Sequence, residues 1–126
     1  NYETAVKWYT LAAEQGHELA QFRLGVSYTK GEGVLQDYQT AMKWYTLAAE
    51  QGHAGSQHNL GLNYSRGKGV PQDYVYAHMW WNIAASQGDE GAAKQRKRAA
   101  RKMTSAEISA ARKLARECVA KDYKGC

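Results

Sequence analysis

Apolar residues along the first ninety positions fall at intervals of three, four and seven. Ala41, Trp44, Tyr45 and Ala48 form one such set, and Ala5, Trp8, Tyr9, Ala12 and Ala77, Trp80, Trp81, Ala84 form two more. This spacing draws one apolar stripe down a helix. A second helical pattern, Gln21-x-x-Leu24-Gly25-x-x-Tyr28, recurs as Gln57-x-x-Leu60-Gly61-x-x-Tyr64. Laid over one another, residues 1–36 and 37–72 share 22 identities, including the eleven residues KWYTLAAEQGH at 7–17 and again at 43–53. A third, weaker copy opens at Asp73. A fixed period of this length predicts stacked helical units rather than one irregular core.

The helix ends are marked in the same grammar. Asn1, Asp37 and Asp73 are side chains that can accept from the free N–H groups of a first turn. Gly16, Gly52 and Gly88 supply the positive φ wanted where those helices stop. Gly25 and Gly61 lie inside the second helices, at roughly 1 kcal/mol each against Ala, which implies close helix approach as compensation. The connectors Gly31-Glu32-Gly33-Val34 and Gly67-Lys68-Gly69-Val70 are flexible, each with a valine free to enter the core between units. Seven helices are expected, at 2–15, 18–29, 38–51, 54–65, 74–87, 90–102 and 105–121.

The pattern Asp-Tyr-x-x-Ala-x-x-Trp-Tyr-x-x-Ala-Ala-x-Gln-Gly-His, followed by Gln-x-x-Leu-Gly-x-x-Tyr and Gly-x-Gly-Val-x-Gln-Asp, resembles the Sel-1-like repeat, a relative of the tetratricopeptide repeat. The resemblance covers residues 1 to about 90. It implies an all-α, right-handed solenoid of antiparallel helix pairs. It also implies an adaptor or scaffold role, as in bacterial envelope, signalling or host-interaction complexes.

The third unit breaks the pattern. Arg96, Lys97 and Ala100 stand where Leu60, Gly61 and Tyr64 stood, so the stacking face is lost and the array is expected to end here. Thr104-Ser105-Ala106-Glu107 is a capping box. It opens a last helix with an apolar stripe of Ile108, Ala111, Leu114, Ala115 and Cys118. Two regions follow: repeats over 1–90, with units starting near 1, 37 and 73, and a degenerate helix with a basic capping helix over 91–126.

Charge sharpens that division. Residues 1–90 hold 6 Lys and Arg against 9 Asp and Glu, whereas 91–126 hold 11 against 3. Lys94, Arg96, Lys97, Arg98, Arg101 and Lys102 form a basic patch that could meet a polyanion, an acidic protein, or solvent alone. No apolar run approaches the roughly 20 residues that span a bilayer. Asn1 falls in mid-register with no initiator Met or signal peptide, so the chain reads as a fragment or processed chain with upstream sequence missing.

The two cysteines, Cys118 and Cys126, could close a short loop at the end of the last helix, at a gain of about 2.5 kcal/mol in the chain-entropy model. The alternative is two unrelated thiols, one buried in a helix and one on a loose tail. Their spacing resembles the paired cysteines of cysteine-rich bacterial members of the family, although those pairs recur in every repeat. A bridge would place the protein in the periplasm or outside the cell, with the cytoplasm as the alternative.

Catalysis finds little support. Ser27-x-x-Lys30 and Ser65-x-x-Lys68 match the opening of penicillin-recognising enzymes, and some cysteine-rich relatives have been called β-lactamases. The two matches lie at different registers, and no Ser-Asp-Asn or Lys-Thr-Gly accompanies them. His17 and His53 recur in a turn, as structural residues do. His53 and His58 stand about 140° apart around a helix, too far for one metal face. Gly31-x-Gly33 and Gly67-x-Gly69 lack the third glycine and the strand of a dinucleotide fold. The stripe of Trp8, Trp44, Trp80 and Trp81 is expected in the core.

The expected function is therefore protein binding, without cofactor, metal or catalytic residues. The alternatives are β-lactam binding or hydrolysis and polyanion binding. Nucleic acid is a poor fit, a monomer the simplest state. Opposite the aromatic stripe, the first helices leave a row free for a protein or peptide. It runs through Glu3, Lys7, Thr10 and Glu14, then Gln39, Lys43, Thr46 and Glu50, then His78, Met79, Asn82 and Ile83. In the third unit Tyr76, Met79 and Ile83 replace Thr40, Lys43 and Leu47, making that side more apolar and a candidate contact surface.

Overall fold

The computed structural model describes residues 1–126. It holds seven helices and no strand: α1 (Tyr2–Glu14), α2 (Glu18–Lys30), α3 (Tyr38–Glu50), α4 (Ala54–Arg66), α5 (Tyr74–Ser86), α6 (Glu90–Ala100) and α7 (Ser105–Ala120). Each boundary lies within one or two residues of the expected one. The caps act as their side chains dictate. Asn1 Oδ1 accepts from Thr4 N at 2.8 Å, Asp37 Oδ1 from Gln39 N and Thr40 N, and Asp73 Oδ1 from Tyr76 N. Thr104 and Glu107 complete the capping box at α7, with both reciprocal bonds present.

The helices pair as α1/α2, α3/α4 and α5/α6 and stack as a right-handed solenoid, with α2 packed broadly on α3 and α4 on α5. Gly25 and Gly61 allow those two junctions. A Cβ on Gly25 would overlap the Tyr45 ring, and one on Gly61 would overlap the Trp81 indole. The missing side chain is the socket for the next unit's aromatic, which offsets the helix-propensity cost of glycine. Trp81 is pinned there by its Nε1–H, which donates to the His58 carbonyl at 3.0 Å.

A polar ladder runs beside the apolar one. Gln21 Nε2 donates to Ala13 O, and Gln57 Nε2 donates to Ala49 O, each joining the two helices of one pair. The ladder then crosses units: Gln51 Nε2 donates to Gln21 Oε1 at 2.8 Å, and Gln87 Nε2 to Gln57 Oε1 at 2.7 Å. Gln21 and Gln57 are buried, and each amide both gives and accepts, so no buried partner is left unpaired.

The tryptophan stripe does not behave uniformly. Trp80 and Trp81 are buried, Trp44 is half-buried against the first unit's core, and Trp8 is 67% exposed. The expectation of a core role fails at Trp8 for a geometric reason. Trp44 and Trp80 each pack on residues of the unit before their own, a contact that residues 1–126 do not offer Trp8.

Candidate functional site

The row expected to face a partner is open in the first two units. Glu3, Lys7, Glu14, Gln39 and Lys43 are exposed, while Thr10 and Thr46 are half-buried. Both threonine hydroxyls donate to their own helix, Thr10 Oγ1 to Val6 O and Thr46 Oγ1 to Met42 O, each at 2.7 Å. Their methyl groups, not their hydroxyl protons, are therefore left for an outside contact. Lys43 Nζ lies 5.2 Å from the centre of the Trp44 ring, a cation–π placement that holds the ammonium near the surface.

The third unit differs, and here the row must be corrected. His78, Met79 and Ile83 are buried, at 3%, 1% and 1% exposure, and only Asn82 is partly open. The cover is α7, which lies along α5 and puts Ala115 and Cys118 into one cluster with Met79 and Ile83. The apolar side read as a contact surface is thus the seat of the chain's own last helix. His78, Met79 and Ile83 are therefore not open to an outside partner, and Asn82 is only partly so.

The tail after α7 extends the cover onto the second unit. Cys118 and Cys126 form a disulfide that folds the last residues back against α5. Lys124 Nζ donates to the Glu50 carbonyl at 2.6 Å, and Gly125 N–H donates to the Glu50 carboxylate at 3.0 Å. Glu50 is accordingly half-buried and engaged, unlike its copy Glu14. Nothing local to either segment signals this contact, since it joins residues more than seventy positions apart.

The basic patch divides. Lys94, Lys97, Arg98, Arg101 and Lys102 are exposed, whereas Arg96 is half-buried with Nη1 donating to Asn82 Oδ1 at 2.6 Å. Arg98 and Lys102 border a shallow pocket with Tyr74 and Trp81, and Lys102 Nζ lies 5.8 Å from the Tyr74 ring centre. The Ser-x-x-Lys serines are both committed to their own helices. Ser27 Oγ donates to Arg23 O, and Ser65 Oγ to Leu62 O. His53 caps α4, its Nδ1 accepting from Ser56 N at 3.1 Å, while His17 at the same register makes no such bond. His58 pairs with Asp89 at 3.2 Å, linking α4 to the start of α6.

A stack of helix pairs with an open polar row and no convergent catalytic group places the molecule among helical-repeat proteins. Three copies of the Sel1 repeat model match, over residues 1–17, 18–53 and 54–89. The chain belongs to the Sel1 repeat family, whose repeats generally serve as non-enzymatic protein-interaction scaffolds. The second and third matches are phased half a unit from the helix pairs, each running from one second helix into the next first helix.

Two solved structures are similar. One is c5321, a protective antigen of uropathogenic Escherichia coli with an SLR fold, at 32% identity and a TM-score of 0.91 over 96% of this chain. The other is a Sel1 repeat protein from Oxalobacter formigenes, at 43% identity and 0.73 over 76%. The present chain spans only 27% and 40% of their lengths. No curated protein matches. No helix is long and apolar enough to cross a membrane.

Proposed function

We propose that this chain is a protein-interaction module of the bacterial envelope or of secreted material. Its contact row runs over α1 and α3, through Glu3, Lys7, Thr10, Glu14, Gln39, Lys43 and Thr46, and accepts a protein or peptide. The supporting observation is the contrast between units: the same side is open on α1 and α3 and sealed by α7 on α5. The open row alternates acidic, basic and neutral groups at one-turn spacing, so it suits an extended polar segment of mixed charge. A role outside the cytoplasm draws on the Cys118–Cys126 bridge, since disulfides persist in oxidising compartments.

The test is an affinity capture from periplasmic extract, comparing the native chain with a Lys7→Glu, Lys43→Glu double variant. Both residues are exposed, so the variant keeps its helicity and its melting temperature. A specific partner retained by the native chain and lost by the variant supports the row. Retention by both would show that binding occurs elsewhere on the molecule.

A further inference from the structure

Where α5, α6 and α7 meet, seven residues line a cavity of about 390 Å³ that is open to solvent on one side: His78, Asn82, Arg96, Lys97, Ala100, Ile108 and Arg112. Three of them carry permanent positive charge, and none carries a carboxylate. The one close contact between a basic side chain and a carboxylate, His58 with Asp89, lies elsewhere, so Arg96, Lys97 and Arg112 have no acidic partner. Like charges gathered without a counter-ion repel one another, and a bound anion would relieve that repulsion.

His78 is a second, independent sign. It is only 3% exposed, and its Nδ1 has no hydrogen-bond partner. An unpaired buried polar atom is unfavourable, so an imidazole in the wall of this cavity needs a reason beyond packing. The equivalent positions in the earlier units are Val6 and Met42, which would fill the space with no such penalty. The departures from the repeat at 78, 96 and 97 therefore converge on one place.

The cavity is also organised. Asn82 Oδ1 accepts from Arg96 Nη1 at 2.6 Å, which fixes the guanidinium instead of leaving it to sweep through solvent. Arg96 comes from α6 and Arg112 from α7, so their planar forks approach from different helices. Guanidinium groups suit oxygens presented in pairs, and Lys97 adds a point charge. Three cations outnumber the single charge of a carboxylate and match the charge of a phosphate more closely.

We propose that this cavity is a phosphate-binding site, taking free phosphate or the phosphate group of a small monoester, with Arg96, Lys97 and Arg112 as its cations and His78 in its wall. The volume exceeds that of phosphate alone and leaves room for a small organic body. Burial, and then Arg96 and Arg112, keep the His78 imidazole below its ordinary titration range. An anion among these groups opposes that tendency, so occupancy draws a proton onto His78 and raises its midpoint.

The experiment follows the His78 ring nitrogens by NMR, assigned with a His78→Gln variant, as inorganic phosphate or phosphoserine is titrated at constant ionic strength with chloride. The expected result is a saturable shift of the His78 signals and an upward move of their titration midpoint. In Arg112→Gln, which alters an exposed residue and should not unfold the chain, affinity falls about tenfold. Tighter binding of phosphoserine would identify a monoester as the ligand, and equal binding would identify free phosphate. Signals that do not saturate, that respond equally to acetate, or that respond unchanged in Arg112→Gln would overturn the assignment.

Discussion

The second and third units begin from the same plan and end as different surfaces. On α3 the outward positions are Lys43, Thr46 and Leu47; on α5 the matching positions are Met79, Asn82 and Ile83. Lys43 stands in solvent, while Met79 is 1% exposed beneath α7. The backbone geometry of the two helices is equivalent, down to matching caps at Asp37 and Asp73. A few side chains on an unchanged frame thus decide whether a helix offers a surface or receives a neighbour. The repeat supplies the frame, and departures from it mark where something new is attached.

The contrast can be broken most strongly on the sealed side. Met79→Ala or Ile83→Ala should each cost about 2–5 kcal/mol by leaving a hole between α5 and α7, read as a lower denaturant midpoint. The matching exchange at Leu47, which is only partly covered, should cost much less. Removing the staple by Cys126→Ser should cost about 2.5 kcal/mol. Amide exchange should then rise first in α7 and in the contacts of Lys124 and Gly125 with Glu50. An equal rise in α1 would show that the loss is not local.

Gly61→Ala tests the junction that both units share. Alanine is the better helix former, yet its Cβ meets a Trp81 ring that is hydrogen-bonded in place, so a net loss of about 1–3 kcal/mol is expected. An unchanged melting temperature would mean the ring can move aside. Smaller again is a dependence on pH. The His78 midpoint is lowered by burial first, then by Arg96 and Arg112, with Lys97 also lining the cavity. Below the unfolded-state value of about 6.5 the unfolded chain takes up a proton that the folded chain resists. Stability is therefore full above that value and falls on acidification, by at most about 1.4 kcal/mol per pH unit. His78→Gln should flatten this slope, measured in buffers free of phosphate. The smallest effect belongs to the open side: Lys43→Met should leave stability within about 0.5 kcal/mol.

How far the fold could be read from the residues follows from where the information lies. Caps, glycine sockets and apolar spacing are local and repeated, so Asn1, Asp37, Gly61 and Thr104 announce their parts directly. The disulfide was one of two readings of a pair near the end. The place of α7 was not legible, because it depends on which of several apolar stripes faces which. Met79 and Ile83 were seen as unusually apolar, but composition does not say whether a partner or the chain itself covers them. The glutamine ladder was hidden for another reason: Gln21, Gln51, Gln57 and Gln87 look like ordinary surface residues until stacking brings them together. The cavity at His78 needed three helices in place, since Arg96 looked like part of one basic run and Arg112 lies on the next helix.

The ladder and the glycine sockets give the molecule modular joints. Gln21 with Gln51 and Gln57 with Gln87 are the same bond, set thirty residues apart in both cases, and Tyr45 on Gly25 matches Trp81 on Gly61. A segment of one period, such as residues 37–72, begins and ends on interchangeable connections. Gene duplication would therefore lengthen the array between these units while reusing the glutamine bond and the glycine socket at each new joint. Duplication of the third unit would instead place the α7 seat in the interior, with one capping helix for two seats. Lineages of such proteins should vary in the number of middle copies while keeping the last unit single.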